Sequence, residues 1–181
     1  MEILETQIND VKIIKPRIFN DQRGFFFETL NIKELENSGI NFAVVQENCA
    51  YSLKKGTIRG LHFQNNPKAQ AKIVRCTKGA VMDFAIDLRK NSTTYLHYVK
   101  VLLSENNKLQ LYIPKGFAHG VISLEDDTMI EYFTDNEYSP EFDRAIRYND
   151  PQINIDWGIK DLILSEKDIN AKLVIESDCN F

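Results

Sequence analysis

The chain has 181 residues with 43% hydrophobic and 27% charged side chains, the composition of an ordinary globular domain long enough for a sizeable core. A formal net charge of -4 argues against a nucleic-acid partner, which needs a basic face. No apolar run approaches the about 20 residues that cross a bilayer, and the start Met1-Glu2-Ile3-Leu4 carries no cationic, apolar leader, so neither membrane insertion nor export is expected. The three cysteines, Cys49, Cys76 and Cys179, are scattered and odd in number, as in reduced thiols of a cytoplasmic protein.

In chain order, the apolar stretch over residues 8–19 is broken by Pro16 and reads as an interrupted edge strand. Asp21-Gln22-Arg23-Gly24 then forms a polar turn, and Arg23 and Glu28 bracket Phe25, Phe26 and Phe27. Asn31 followed three residues later by Glu34 predicts a helix near 32–38, with Gly39 as its stop. From Phe42 to Thr134 short β-rich runs alternate with turn signals. The runs are 42–46, 57–64, 71–77, 80–88, 94–103, 109–113, 120–124 and 129–134, and Lys78-Gly79 stands at hairpin spacing between two of them. Such texture predicts an all-β sandwich or barrel formed by one domain over residues 1–181.

Two stretches carry chemistry. In Thr57-Ile58-Arg59-Gly60-Leu61-His62-Phe63-Gln64, period-two alternation puts Arg59 and His62 on opposite faces of a strand. A bend at Gly60 would bring them to one side, joining an anion anchor to a proton shuttle. The second is Pro114-Lys115-Gly116-Phe117-Ala118-His119-Gly120. PxGxxH is the usual second motif of the cupin barrel, but the first strand reads His62-Phe63-Gln64 and lacks the HxH pair that a metal-binding cupin uses. Lys72, Asp83 and Asp87 fall on strand faces shared with apolar residues, where a barrel lumen or solvent would receive them.

Taken together, Asp21-x-Arg23-Gly24-x-Phe26-x-Glu28, Gln46-x-Asn48, Arg59-Gly60-Leu61-His62-x-Gln64, Gln70-x-Lys72, Asp83-x-x-x-Asp87-x-Arg89, Pro114-x-Gly116-Phe117-Ala118-His119-Gly120, Tyr132, Tyr138-x-Pro140, Asp150-Pro151, Ile155-Asp156-Trp157 and Leu164-Ser165-x-Lys167-Asp168 resemble the dTDP-4-dehydrorhamnose 3,5-epimerase family of nucleotide-sugar epimerases. The resemblance runs from about Pro16 to Ala171. It implies a mainly β, jelly-roll (cupin-type) barrel with short C-terminal helical segments, acting as a cytoplasmic homodimer without a metal or organic cofactor. The implied substrate is a dTDP-4-keto-6-deoxyhexose, epimerised at C3 and C5 through an enolate. Within that resemblance His62 is the base, Asp168 its orienting partner, Tyr132 the acid on the opposite face, and Lys72 the cation at the enolate oxygen. Arg59 and Arg23 would hold the diphosphate, with Gln46, Asn48 and Glu28 around the nucleoside, His119 near the sugar and Tyr138 stacked on the pyrimidine. Asp143 and Lys167 fall at further ligand positions, and the segment around Phe26 and Glu28 would cross to the partner subunit.

The chain departs from the family pattern at Ala50, where serine is common, at Asp143, where glutamate is usual, and at Gly158, where proline is common. These departures bear on substrate detail. The alternatives are a C3-only epimerase or one acting on another nucleotide sugar, a metal-dependent cupin using His62 and His119, and a non-catalytic sugar-nucleotide-binding barrel.

Overall fold

The computed structural model describes residues 1–181. Its strands are β1 (Glu2–Glu5), β2 (Lys12–Lys15), β3 (Phe19–Asp21), β4 (Gly24–Phe26), β5 (Gln46–Ser52), β6 (Ile58–Gln64), β7 (Lys72–Lys78), β8 (Ala80–Asp87), β9 (Tyr98–Ser104), β10 (Gln110–Ile113), β11 (Phe117–Ser123), β12 (Thr128–Thr134) and β13 (Asp143–Ala145). A six-stranded sheet in the order β1-β2-β10-β7-β12-β5 faces a five-stranded sheet in the order β13-β6-β11-β8-β9, while β3 and β4 form a separate hairpin. Helices are few and short: α1 (Ile32–Asn37), α2 (Glu166–Ile169) and a 3-10 turn at Val174–Glu176. No helix is long and apolar enough to cross a membrane.

The central strands are buried on both faces, which explains why their sequences read as near-continuous apolar runs. Val74, Cys76, Leu111 and Ile130 of one sheet meet Val81, Ala85, Val101 and Val121 of the other in the interior. The opposite faces are covered too. Phe84, Ile86, Ile122 and Leu61 pack beneath the C-terminal segment through Trp157 and Val174, with the Phe84 and Trp157 rings 4.8 Å apart. Ile14 and Ile73 pack beneath Leu35 of α1. Asn31 accepts the Glu34 backbone N–H at 3.2 Å, so α1 begins as its cap predicts, and Gly39 takes φ +79° just beyond its end.

Three expectations are corrected. The segment over 8–19 is not one interrupted edge strand: β2 lies between β1 and β10, and Pro16 separates it from β3 of the hairpin. Residues 41–45 are loop, because Phe42 is drawn into the cluster under α1, and the strand is the polar β5 that follows. Lys78-Gly79 is no hairpin but a corner, since β7 and β8 belong to opposite sheets. Gly79 turns it at φ +73°, where a Cβ would stand 2.8 Å from the Thr128 hydroxyl. Strands β1 and β13 carry little sequence signal and were not expected.

Candidate active site

β6 is where the fold makes the site. Opposite β11, His62 pairs with His119 and Arg59 with Val121, so three residue steps on β6 match two on β11. One extra residue is therefore accommodated on β6, at Gly60 and Leu61, which is a bulge. It reverses the parity of the strand: Arg59 and His62 both face the interior, whereas Ile58, Leu61 and Phe63 pack outward under the C-terminal segment. Gly60 is required there, because it takes φ +142° and a Cβ would lie 2.5 Å from Gly120 Cα and 2.8 Å from the His119 carbonyl oxygen.

The interior opens into a cleft with two lobes. The first, about 370 Å³, is bounded by Arg59, His62, Lys72, His119, Tyr132 and Asp168, with Ala50 and Ile163 at its walls. The second, about 320 Å³, is bounded by Gln46, Asn48, Gln70, Tyr138, Asp143 and Lys167. His62, Lys72 and Tyr132 border both. His62 comes from the five-stranded sheet and Tyr132 from the six-stranded one, so they stand on opposing walls.

Asp168 reaches His62 from far along the chain. The strap before α2 is pinned to the start of β6, where Ile58 N–H donates to the Ile163 carbonyl at 2.8 Å and Ile163 N–H to that of Gly56 at 2.9 Å. Ser165 then caps α2, its hydroxyl oxygen accepting the Asp168 N–H at 3.2 Å. This leaves the buried Asp168 carboxylate 2.6 Å from His62 Nε2. Burial pushes that carboxyl up, but the hydrogen bonds from His62, Ser165 and the Gly60 backbone outweigh it and hold it below the usual carboxylate range. With Nε2–H donated to an ionised Asp168, the other ring nitrogen, Nδ1, carries the free lone pair.

Across the cleft, Lys72 lies with its ammonium 5.9 Å from the centre of the Tyr132 ring. Desolvation lowers Lys72 from 10.5 to about 8, with Asp83 and Asp143 opposing the fall. Desolvation also raises the Tyr132 phenol, so it stays protonated at neutral pH. The cleft thus holds a carboxylate-backed imidazole, a neutral phenol and a desolvated ammonium in one space.

Most of the expected binding residues gather around it. The Arg59 guanidinium is braced at the rim by Ser52 Oγ at 3.2 Å and the Tyr51 carbonyl at 2.6 Å. Gln46 donates to Asn48 at 2.6 Å and accepts the Tyr138 N–H at 3.1 Å. The Tyr138 hydroxyl donates to Asp143 at 3.2 Å, and Lys167 forms an ion pair with the same carboxylate. Arg23, Phe26 and Glu28 do not join the cleft of their own chain. Arg23 binds Asp21 at 2.6 Å on the projecting hairpin, Phe26 is 67% exposed, and Glu28 lines a separate hollow with Met1 and Arg17. His119 lines the first lobe but is tied to Asp83 at 3.0 Å. The two histidines are thus each engaged by their own carboxylate, not directed at a common point.

Two further residues shape the site. Ser165 belongs to the motif Leu164-Ser165-x-Lys167-Asp168, and its role is that of helix cap, the local signal being a serine three residues before an acid. Ile163 has no local signal at all, because its place is set by the bridge to Thr57.

Known proteins share both this sequence pattern and this geometry. A family model described as dTDP-4-dehydrorhamnose 3,5-epimerase matches residues 5–176. The enzyme of that name from Escherichia coli K12 is 49% identical over 170 residues, covering 93% of this chain and 91% of its own. Among solved structures, the dTDP-6-deoxy-D-glucose-3,5-epimerase of Legionella pneumophila, in complex with dTDP-4-keto-L-rhamnose, is 43% identical with a TM-score of 0.94 over 98% of this chain and 94% of that one. The dTDP-4-dehydrorhamnose 3,5-epimerase of Bacillus anthracis, with TDP and PPi bound, is 44% identical with a TM-score of 0.93 over 95% and 98%. Matching nearly end to end in sequence and in fold, the chain belongs to the dTDP-4-dehydrorhamnose 3,5-epimerase family.

Proposed function

We propose that this protein inverts C3 and C5 of a dTDP-4-keto-6-deoxyhexose, with His62, Asp168, Tyr132 and Lys72 as its catalytic machinery. The observation that carries the reading is a carboxylate-backed imidazole and a neutral phenol on opposing walls of one cleft, with an ammonium beside the phenol. The relatives' names and bound ligands support the substrate class.

The chemistry follows from the C4 ketone, which acidifies the hydrogens on both neighbouring carbons. His62 Nδ1 takes one of these protons, and the C–H electron pair moves through C4 onto the oxygen as an enolate. Lys72 stabilises that negative charge in a desolvated site, where a fixed cation is worth far more than in water. The Tyr132 hydroxyl returns a proton to the opposite face and closes the carbonyl again, inverting the centre. Solvent then restores the phenol and removes the proton from the imidazolium. The same cycle at the second carbon completes the double inversion.

The nucleotide half is assigned to the rim and second lobe: Arg59 on the diphosphate, Gln46 and Asn48 on the nucleoside, Tyr138 stacked on the base, His119 toward the sugar, and Asp143 with Lys167 beyond. Arg23, Phe26 and Glu28 are assigned to the partner's cleft in a homodimer. The exposed aromatics of the hairpin, Phe19, Phe25 and Phe26, support this, because an apolar projection this exposed favours association. Three free thiols support a reducing, cytoplasmic setting for a single-domain enzyme.

The test is proton NMR of dTDP-4-keto-6-deoxyglucose with the protein in heavy water. Deuterium at C3 and C5 with inversion of both is expected. Deuterium at C3 alone makes the protein a 3-epimerase, and none at either carbon removes this substrate.

A further inference from the structure

Gln64, the last residue of the Arg59-Gly60-Leu61-His62-x-Gln64 stretch, has no part in the chemistry or the binding assigned so far. It ends β6, is 3% exposed, and borders the second lobe two residues beyond His62. Its side-chain amide is engaged by backbone from two loops. Nε2 donates to the Lys68 carbonyl at 2.6 Å and to the Glu137 carbonyl at 3.1 Å, while Oε1 accepts the Ser139 N–H at 2.7 Å. This set admits one amide orientation only, because a flip would turn the amide oxygen against two carbonyls.

The contacts with Glu137 and Ser139 straddle Tyr138. The peptide unit before Tyr138 is held twice, at its carbonyl by Gln64 Nε2 and at its N–H by Gln46 Oε1, 3.1 Å away. The peptide unit after it is held at the Ser139 N–H by Gln64 Oε1. With both peptide planes fixed, the two backbone dihedrals of Tyr138 are fixed, and so is the direction of its Cα–Cβ bond. Gln64 also pairs with Asp143 across β6 and β13, and Asp143 accepts the Tyr138 hydroxyl at 3.2 Å. Both ends of the tyrosine are thus referred to one residue of β6. Tyr138 is 55% exposed and takes little support from packing, so these bonds set its aim. Gln46 and Gln64 belong to opposite sheets, and the turn they hold bridges the mouth of the cleft.

We propose that Gln64 is a positioning residue for nucleotide binding, clamping the 137–139 turn so that Tyr138 is held at the second lobe before ligand binds. The proposal rests on the assignment of Tyr138 to the pyrimidine. A ring already in place loses less freedom when the nucleotide arrives, so its preorganisation is read as affinity. Gln64 and His62 lie on one strand and border the same lobe, so the clamp also fixes the span between the stacking platform and the imidazole. No other side chain of this size serves. Glutamate would set a carboxylate against the Lys68 and Glu137 carbonyls, and methionine would leave all three backbone groups without their partner.

The test is Gln64→Met, which keeps length and removes the three hydrogen bonds, read beside Tyr138→Ala and the double variant. Two quantities are measured: amide hydrogen exchange at Tyr138 and Ser139 by NMR without ligand, and dTDP affinity by calorimetry. In Gln64→Met, exchange at Ser139 is expected to rise ~3- to 10-fold, the factor that one hydrogen bond supplies. Affinity for dTDP is expected to fall ~5-fold, against ~10- to 100-fold in Tyr138→Ala, the range for a lost stacking platform. The double variant should bind dTDP no more weakly than Tyr138→Ala, because Gln64 acts through the ring. In turnover, KM rises with the loss of affinity while kcat holds, which a general loosening of the fold would not give. Wild-type affinity in Gln64→Met, or losses that add in the double variant, would overturn the proposal. If Tyr138→Ala binds dTDP like the wild type, the nucleotide reading of Tyr138 fails, and exchange at Ser139 alone still decides whether Gln64 clamps the turn. If Gln64→Met does not fold, the wild type decides: slow exchange at Ser139 and at the Gln64 side-chain amide is expected, and fast exchange at either would overturn the clamp.

Discussion

Replacing Lys72 with methionine should cost the protein its activity and make it more stable. The ammonium is held at about 8 where an exposed lysine titrates at 10.5, a displacement of about 2.5 pH units. At 1.36 kcal/mol per unit, carrying the charge at pH 7 costs the folded state about 3 kcal/mol. Methionine fills the same channel without charge, but Asp83 loses one of its cations and takes back part of the gain, so a net stabilisation of about 1–2 kcal/mol is expected. The pH dependence gives the sign. The folded-state value lies below the unfolded one, so the unfolded chain binds more protons between about 8 and 10.5, and wild-type stability rises with pH across that window. About 2 kcal/mol of the penalty is relieved between pH 7 and pH 9.5, whereas the methionine variant has nothing to relieve. Urea denaturation of both proteins at the two pH values reads this as a stability gap that is present at pH 7 and closes by pH 9.5. In heavy water the variant should exchange its substrate's α-hydrogens ~100- to 1000-fold more slowly, the range for loss of a transition-state charge stabiliser. A variant less stable than wild type at pH 7, or a gap that ignores pH, would refute the assignment of a desolvated catalytic ammonium.

The remaining expectations separate chemistry, binding and architecture. His62→Asn should slow α-hydrogen exchange ~100- to 10000-fold while dTDP, followed by calorimetry, binds as before; full exchange would remove His62 as the base. Tyr132→Phe should still admit deuterium from the His62 side while inversion falls, seen as washed-in label without epimer in the same NMR experiment. Gly60→Ala should destabilise the fold by on the order of 3 kcal/mol, because its Cβ meets backbone on β11 at 2.5 Å and neither strand can yield without losing the bulge. A wild-type denaturation midpoint for that variant would mean the bulge is not fixed by Gly60.

What the sequence disclosed was what is local. The helix at Ile32–Asn37 was legible because its cap, first turn and stop lie within nine residues, Asn31 to Gly39. Strands β6 to β12 were legible because their β-branched and aromatic residues are buried, on both faces in β8 and β11 and on one face in β9. Strand β5 was not, because its sequence is polar and its pairing with β12 supplies the order that its composition does not. The corner at Gly79 defeated the reading for a related reason. A glycine between two apolar runs has the same local signature whether the runs pair with each other or part into opposite sheets, and only the partners chosen 30 to 62 residues later decide it.

The site divides along the same line, and β6 shows why. On sequence alone Arg59 and His62 are three apart and belong on opposite faces; a bend at Gly60 was one of two options. What selects it is the demand of β11, whose Gly120 lets the β6 backbone approach so closely that only glycine fits opposite. Once the bulge forms, the outward face keeps Ile58, Leu61 and Phe63 for the C-terminal segment, and burying them is what holds that segment down. The same segment returns Ser165 and Asp168 to His62, 106 residues from its partner in sequence. One inserted residue therefore does two things at once: it turns the base into the cleft, and it presents the apolar surface that anchors the strap carrying the base's carboxylate. The catalytic pair is assembled by core packing, which is why no local motif could have announced it.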